Sequence, residues 1–444
     1  MQLKSTHGSV HLGLMAATCA LFAAQSPPSK AAEPGEWQVD TGLLYYKENN
    51  DRIETVEPVV NLQKDYGDER QLNMTLTFDS LTGGSPNGAI PSRQPQTFAT
   101  PSGTSLQPVQ GVPQTITTAS GRVVAALEKI TLYDVPAGAL PLDPNFKDQR
   151  GALDLAWTQP WGESNHLSVG GHASIEHDFD SIGTNAALSH DFNDKLTTVS
   201  IGATAEYDRV KPIGGAPVAG SDYTQLLKGG SEHKQLFGGQ FGISQVLARR
   251  WVAQLNYTYE RSNGYLTDPY KIVSLVDALG DVQQYRFESR PDSRVRQALY
   301  LGNKIAVGRA VLDLSYRYAK DDWDIKSHTA DLRLHLPLSD NLYLEPHLRN
   351  YRQTAAKFYD LYLDSGAPVP VDLSADPRLA EFRAHTYGIK LGYSYARNAE
   401  FSLRIEQYAQ TPALKSSTLL NLQGLDLNPD LKSIVLQVGW RFAY

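Results

Sequence analysis

Charged side chains recur at every second position in several short segments of the second half of this 444-residue sequence. Arg294 and Arg296 form one such set, and Asp331, Arg333 and His335 form another. Because side chains alternate between the two faces of a β-strand, each set shares one face of its strand. Facing side chains on neighbouring strands lie about 5 Å apart, so opposite charges would pair. The predicted members of this charged, pore-lining wall are Arg294, Arg296, Asp313, Arg317, Asp331, Arg333, His335, Glu345, His347, Arg349, Lys390, Arg404, Glu406 and Arg441.

Two roles fit such a wall, and the sequence leaves both open. An excess of arginine along a pore favours the passage of anionic solutes, as rings of charge do in channels. Alternatively, the charges satisfy one another inside a narrow or plugged interior, where an unpaired charge is costly.

Residues that could form an enzyme active site are scattered. Glu176, His177 and Asp178 lie at the outer end of one predicted strand, and His190 with Asp191 lies at the inner end of the next. These positions are too far apart to form one site. The sequence also lacks a phosphate-binding glycine loop and a zinc-binding helix motif. We therefore predict no catalytic residue, no metal and no cofactor, with a barrel enzyme acting on lipid or peptide as the minor alternative.

The elements that would position the charged wall are strands of about ten residues in which apolar and polar residues alternate. The last segment is the clearest case, with apolar or aromatic side chains at Ile434, Leu436, Val438, Trp440, Phe442 and Tyr444. About ten residues is the length that a tilted strand needs to cross the hydrocarbon layer. The terminal aromatic residues, Trp440, Phe442 and Tyr444, are similar to the signal read by the bacterial barrel-assembly machinery.

Short and long connections alternate along the chain. Short turns, such as Asn193 to Lys195, are expected at one end of the strands. Long links, such as Thr82 to Gln149, are expected at the other end. An outer-membrane barrel has short periplasmic turns and long outer loops. We therefore predict an all-β fold, a closed antiparallel transmembrane β-barrel of about 16 strands. The 82–149 link either folds inward as a constriction or presents an outer surface.

The first 32 residues have the features of an export signal. Lys4 supplies a short basic region, and Leu12 to Ala24 form an apolar stretch. This stretch is too short to span a bilayer as a helix, so we predict a cleaved signal peptide over residues 1–32. Residues 33–444 would then form the barrel in the outer membrane of a Gram-negative bacterium. Cys19 leaves a lipid-anchored form as an alternative.

The composition excludes several classes of function. Cys19 is the only cysteine, so the processed chain would have no disulfide, no thiolate metal site and no covalent haem. A net charge of -7 with scattered Lys and Arg argues against a nucleic-acid partner. The expected partners are outer-membrane lipid, the barrel-assembly machinery, and small solutes or a periplasmic protein.

Several loop segments resemble a known family. These segments are LTGGSPNG at Leu81–Gly88, QTFATPSG at Gln96–Gly103, LPLDPNFKD at Leu140–Asp148, YLTDPYK at Tyr265–Lys271 and SRPDSR at Ser289–Arg294. They are similar to a large domain-of-unknown-function family of Gram-negative outer-membrane proteins. The resemblance implies outer-membrane placement and transfers no catalytic residue. A channel or porin-like protein that passes small solutes is the leading functional prediction, and a sealed docking barrel acting through its loops is the alternative.

Overall fold

The structure, a computed structural model, describes residues 35–50, 52–100, 115–117, 123–125, 131–144, 146–212, 215–225 and 229–444. The predicted signal peptide and Cys19 lie outside the described residues. The described ranges contain three single-turn 3-10 helices, at Tyr223–Gln225, Pro377–Leu379 and Leu420–Leu422. No helix in the described ranges is long and apolar enough to cross a membrane.

Strands dominate the described chain. In chain order they are β1 (Trp37–Glu48), β2 (Glu54–Asp65), β3 (Gln71–Thr82), β4 (Gln96–Thr100), β5 (Thr115–Thr117), β6 (Val123–Ala125), β7 (Thr131–Val135), β8 (Lys147–Trp161), β9 (Asn165–Glu176), β10 (Phe179–Phe192), β11 (Thr197–Val210), β12 (Glu232–Ala248), β13 (Trp251–Gly264), β14 (Ile272–Val276), β15 (Val282–Phe287), β16 (Ser293–Val307), β17 (Ala310–Asp321), β18 (Lys326–Pro337), β19 (Leu342–Gln353), β20 (Leu363–Asp364), β21 (Phe382–Ala396), β22 (Ala399–Pro412) and β23 (Leu431–Ala443).

Sixteen of these strands form one closed barrel, which confirms the predicted fold class. The order around the ring is β1-β2-β3-β8-β9-β10-β11-β12-β13-β16-β17-β18-β19-β21-β22-β23, and β23 pairs with β1. Every neighbouring pair in the ring is antiparallel, as hairpin connections require. Closure removes the unpaired strand edges that an open sheet would expose inside a bilayer.

The alternation of side chains determines which face of the sheet meets lipid. On β22, Phe401, Leu403 and Ile405 are exposed on the outer face of the ring, while Arg404 and Glu406 alternate with them on the inner face. The inner face therefore carries the polar groups and the outer face carries the apolar ones. This is the pattern that a bilayer imposes on a barrel, because lipid chains cannot satisfy a polar group.

The two ends of the barrel differ. At one end the links are short turns, such as Gly308 with Arg309 between β16 and β17. At the other end five long links occupy residues 83–146, 211–231, 265–292, 354–381 and 413–430, and three short links, 49–53, 177–178 and 322–325, complete the connections, so the predicted alternation of long and short links is only partly met. The long link predicted for 82–149 ends at Phe146, because β8 begins at Lys147.

The long links pack together into a folded layer that we call the loop cap, defined by the described residues of those five ranges. Ile90 packs with Val276, Leu361 and Leu422, so four different links share one hydrophobic cluster. The hairpins β3–β8 and β13–β16 are separated on the shorter side of the ring by four strands. Their links meet where the Ile272 amide donates to the Asn87 carbonyl at 2.8 Å. The loop cap therefore extends across the mouth of the barrel.

Candidate functional site

His347 on β19 lies at the centre of the charged inner wall. Its Nε2 atom is 2.9 Å from a carboxylate oxygen of Asp331 on β18, and its Nδ1 atom is 2.9 Å from one of Glu406 on β22. Strand β21 runs between β19 and β22, and its Gly388 faces both His347 and Glu406. A Cβ atom at Gly388 would lie 2.7 Å from Cγ of Glu406. Glycine at this position leaves the room that lets the histidine reach across one strand.

The wall continues from Glu406 as a chain of ion pairs. Arg404 donates to Glu406 and to Glu345, at 3.0 Å in each case. His335 follows with its Nδ1 atom 3.9 Å from Glu345. Lys390, between Glu345 and Arg404 in the strand register, lies 5.4 Å above the Tyr343 ring. Four neighbouring strands, β18, β19, β21 and β22, thus hold one connected network, as the alternation of charges predicted.

The charges around Asp331 do not balance locally. Besides His347, this carboxylate lies 3.5 Å from Arg333 and 3.9 Å from Arg349. Arg317, on the neighbouring strand β17, makes no hydrogen bond or ion pair with another described residue, although Glu260 lies within its electrostatic reach. Three arginines, Arg317, Arg333 and Arg349, therefore share this part of the wall with two carboxylates, Asp331 and the Asp313 that faces Arg333.

The remaining predicted wall residues find carboxylate or amine partners on adjacent strands. Arg294 donates to Asp321 at 2.9 Å, and Arg296 lies 3.7 Å from Glu260. Asp313 lies 3.8 Å from Lys304. A further pair joins Arg441 to Asp40 across the β23–β1 closure. Sequence reasoning missed these four partners, although each occupies an inward position on its strand.

Part of the wall remains accessible to water. The side chains of Arg333 and Asp313 are 43% and 38% exposed, whereas that of His347 is 2% exposed. The interior therefore contains a tightly packed section around His347 and a solvated section beside it. Such a wall can attract and orient charged solutes by its electric field without forming covalent bonds.

A second group of charges lies inside the loop cap. We call it the cap ion cluster and define it as Asp268, Lys271, Glu288, Arg290, Asp376 and Arg378. Arg290 pairs with Glu288 at 2.6 Å and with Asp376 at 2.7 Å. Arg378 pairs with Asp376 and Asp268. The cluster therefore connects the link after β13 to the link after β19.

Burial and mutual attraction shift the pKa values in the cap ion cluster in different directions. Burial lowers the pKa of Lys271. Burial alone would raise the pKa of Asp376, but Arg378, Lys271 and Arg290 hold it well below its usual range. For Glu288, burial raises the pKa against the opposing effect of Arg290. Asp376 is therefore the carboxylate whose ionised form the surroundings stabilise most clearly.

Three of the sequence motifs meet at this cluster. YLTDPYK supplies Asp268 and Lys271, and SRPDSR supplies Arg290. LTGGSPNG supplies Ser85 and Pro86, whose hydroxyl and carbonyl oxygens accept from Lys271 Nζ at 2.6 Å each. Loop motifs that are far apart in the chain thus build one structure across the barrel mouth.

Sequence reasoning missed the part of the cluster that comes from the link after β19. There Asp376 precedes Pro377 and caps a 3-10 turn by accepting from the Arg378 amide at 3.0 Å. An aspartate followed by proline is a recognised start signal for a helical turn, so this signal was present in the sequence. Its partners could not be identified, because they lie in other links.

One group of carboxylates among the described residues has metal-ligand spacing. Oxygens of Asp148, Glu176 and Asp178 all lie within 4.8 Å of one another near the rim of the loop cap. Arg150 lies 4.0 Å from Glu176 and supplies positive charge there. Burial, followed by the nearby Asp148 carboxylate, raises the pKa of Asp178 to about 7. The predicted separation of this group from His190 agrees with the structure, where His190 bonds to Asn165 at the turn end.

A comparison with models of known protein families finds a match over almost the whole chain. The model of a family described as proteins of unknown function, DUF3570, matches residues 12–442. The chain belongs to the DUF3570 family. This confirms the family type that the loop motifs suggested. No curated protein matches the chain.

Solved barrels resemble this DUF3570 protein at low sequence identity. The ferric enterobactin receptor PfeA of Pseudomonas aeruginosa matches with a TM-score of 0.41 and 8% identity, over 87% of this chain and 56% of the receptor. The chain thus spans little more than half the length of that receptor. OccD3 (OpdP) of Pseudomonas aeruginosa matches with a TM-score of 0.40 and 9% identity, over 95% of this chain and 97% of its own. The CymD monoaromatic hydrocarbon channel matches with a TM-score of 0.39 and 7% identity, over 93% and 89%.

The predicted assembly signal lies at the barrel closure of the DUF3570 protein. Trp440 is exposed on the outer face, and its ring centroid lies 4.9 Å from that of Phe442. Tyr444 and Trp37 exchange two backbone hydrogen bonds, of 2.9 and 3.0 Å. The terminal residues therefore complete the last strand pair, and recognition by an assembly machinery stays a prediction.

Proposed function

We propose that this DUF3570 protein is an outer-membrane channel for small anionic solutes, with a loop cap that controls access from the loop side. The observation that carries the proposal is the local excess of cations on the inner wall. Asp331 is shared by Arg333, Arg349 and His347, and Arg317 has no ion pair with any residue that the structure describes. A low-dielectric wall with surplus cations concentrates anions along its surface.

The accessibility of the wall supports transport over a purely structural role. A fully buried charge must be neutralised by its protein neighbours, whereas a partly hydrated charge remains available to a mobile ion. Here Arg333 and Asp313 stay partly solvated, so the interior has room for water and small ions beside them.

A sealed docking barrel is the second candidate, and the loop cap favours it. All five long links contribute apolar residues to shared clusters, and the cap ion cluster connects two of these links. Under this alternative the cap would be a permanent lid that presents a surface to a partner.

Planar-bilayer conductance separates the two candidates. The design compares the full chain with a variant in which residues 84–145 are replaced by a short Gly–Ser turn. The ends of that link are already held together, because Thr82 pairs with Lys147 and the Gly83 amide donates to the Phe146 carbonyl at 3.0 Å. We expect low conductance from the full chain and a clear increase in the variant. Absence of conductance from both proteins would refute the channel.

Ion selectivity tests the anionic preference. In a tenfold KCl gradient the channel is expected to prefer chloride, and Arg317→Gln with Arg349→Gln is expected to shift the reversal potential towards potassium. Arg309→Gln is the matched control, because Arg309 lies on an exposed turn. Equal permeability of chloride and potassium in the parent protein would contradict the anionic preference while leaving the channel itself intact.

A further inference from the structure

A row of basic side chains lies on the outer face of the barrel at the loop end. We call Lys320, Lys326, Arg352 and Arg383 the basic band, and all four are exposed. On its strand, each of these residues is an even number of positions away from lipid-facing residues. The four side chains therefore point outward from β17, β18, β19 and β21. These strands are consecutive in the ring.

The strand register brings the cations of the band into direct opposition. Lys320 faces Lys326 across the β17–β18 pair, and Arg352 faces Arg383 across the β19–β21 pair. His328 also faces Arg352 and so links the two pairs. Like charges directly opposite on neighbouring strands destabilise a sheet unless an anion lies between them. Two such pairs side by side indicate a bound anion.

Within the part of the chain that the structure describes, no carboxylate lies between these facing cations. Among the described residues, none forms an ion pair or side-chain hydrogen bond with any of the four cations. Elsewhere at this rim, cations do have acidic partners. Lys47 lies 3.3 Å from Glu54, and Lys211 lies 2.6 Å from Asp180. The basic band differs from these two pairs, because its cations face one another across the strand pairs and not a carboxylate.

The surroundings of the band identify the class of anion. Two outward positions nearer the turn end, beyond residues such as Asn350 and His385, the same outward faces carry large exposed apolar side chains, including Tyr316, Leu348 and Tyr387. Tyrosines at the edge of an apolar surface mark the interface between hydrocarbon and headgroups. Cations just beyond that edge lie at the level of lipid headgroups.

We propose that the basic band binds the phosphate groups of anionic lipid headgroups in the leaflet on the loop side. The two arginines offer planar pairs of N–H donors that match phosphate oxygens, and the two lysines add compact charges beside them. One bound phosphate between each facing pair would replace repulsion by attraction. The lipid chains would cover the apolar surface below, so headgroup and tails are recognised together.

Native mass spectrometry of the full chain in neutral detergent tests this proposal, with phosphatidylglycerol and phosphatidylcholine as probes. We expect the parent protein to bind phosphatidylglycerol more tightly than phosphatidylcholine. The double variant Arg352→Gln with Arg383→Gln should weaken phosphatidylglycerol binding by about 25-fold, since each basic group near an anionic lipid surface contributes about fivefold. The double variant Lys320→Gln with Lys326→Gln should act similarly.

The matched control removes two outward arginines that do not face each other, with Arg209→Gln and Arg261→Gln on β11 and β13. This control should weaken phosphatidylglycerol binding clearly less than either band variant, because Arg209 faces Asp180 and neither arginine has a facing cation with which to share one phosphate. Heat-modifiable migration on gels verifies that each variant is a folded barrel. Equal loss in band and control variants would overturn the proposal. Displacement of the lipid by an equal concentration of inorganic phosphate would also overturn it, because the band would then recognise the free anion.

Discussion

The cap ion cluster leads to a sharp prediction about Asp376. This side chain is 1% exposed and accepts hydrogen bonds from Arg290 Nη2, from the Arg378 guanidinium and from the Arg378 amide. The substitution Asp376→Asn keeps the shape but removes the charge, and it places an amide N–H group against guanidinium donors. Buried Arg290 and partly exposed Arg378 then both lose this carboxylate.

The loss of stability depends on which carboxylate partners Arg290 and Arg378 keep in the variant. Removal of one partner from a buried ion pair costs about 3–5 kcal/mol. Arg290 keeps Glu288 and Arg378 keeps Asp268, so we expect the lower end, about 3 kcal/mol. This energy corresponds to roughly a hundredfold increase in the opening of the loop cap. The barrel strands should be unaffected, because their ladders do not depend on the cluster.

Hydrogen exchange measured by mass spectrometry gives the readout. Peptides from residues 265–292 and 354–381 should lose protection in Asp376→Asn, while peptides from the barrel strands should not. The matched control is Asp340→Asn, because the Asp340 side chain is 94% exposed in its pair with Arg309. An exposed pair contributes at most about 1 kcal/mol, so its loss should change exchange by less than about fivefold. Similar exchange in both variants would refute the assignment of the cluster as the tie between the links.

Three further predictions concern the rim, the cap and the closure. Asp178 has an ordinary pKa of 3.8 that is raised to about 7, so its ionised form destabilises the folded protein, and this penalty grows as pH rises from about 4 to 7. Thermal melts should therefore show Asp178→Asn stabilising the protein at pH 8 and having little effect at pH 4. Gly88 has a φ of 95°, and a Cβ there would lie 2.3 Å from the Ile272 carbonyl oxygen, so Gly88→Ala should open the cap to proteolysis with a cost of about 2 kcal/mol or more. Deletion of Tyr444 removes two backbone hydrogen bonds to Trp37 and should lower the yield of heat-modifiable barrel in cells.

Each of these predictions has a control or a contradicting result. Equal stabilisation by Asp178→Asn at both pH values would contradict the pKa shift. Gly424→Ala matches Gly88→Ala, because Gly424 also has a positive φ, of 79°, but no atom within 4 Å of the added Cβ. The cap should resist proteolysis in that control. Normal assembly without Tyr444 would show that the closure hydrogen bonds and the terminal aromatic residue are dispensable.

Much of the barrel could be predicted from the sequence, because the pattern that specifies it is local. A period of two, as in Ile434, Leu436 and Val438, fixes which side chains share a face. The alternation of short and long links then gives the number of strands and the direction of each. The residues between these apolar positions face inward, so residues such as His347 and Glu406 could be assigned to the inner wall from the sequence.

The pairing within that wall required the register between strands. His347 reaches Glu406 across β21 only because Gly388 is aligned with both, and Arg441 meets Asp40 only because the barrel closes. Neither alignment is visible in one strand alone. The local excess of cations around Asp331 is likewise a result of register, since it depends on which carboxylates the neighbouring strands bring close.

The sequence by itself determined a membrane barrel with a charged interior, because apolar and polar side chains must alternate to satisfy lipid outside and water within. Only the tertiary structure decided that the long links form a loop cap and that Asp268, Arg290 and Asp376 meet inside it. The basic band was likewise decided by the register that sets Arg352 opposite Arg383. The physical reason is that a repeating pattern acts within each strand, whereas packing between links depends on contacts between residues distant in the chain.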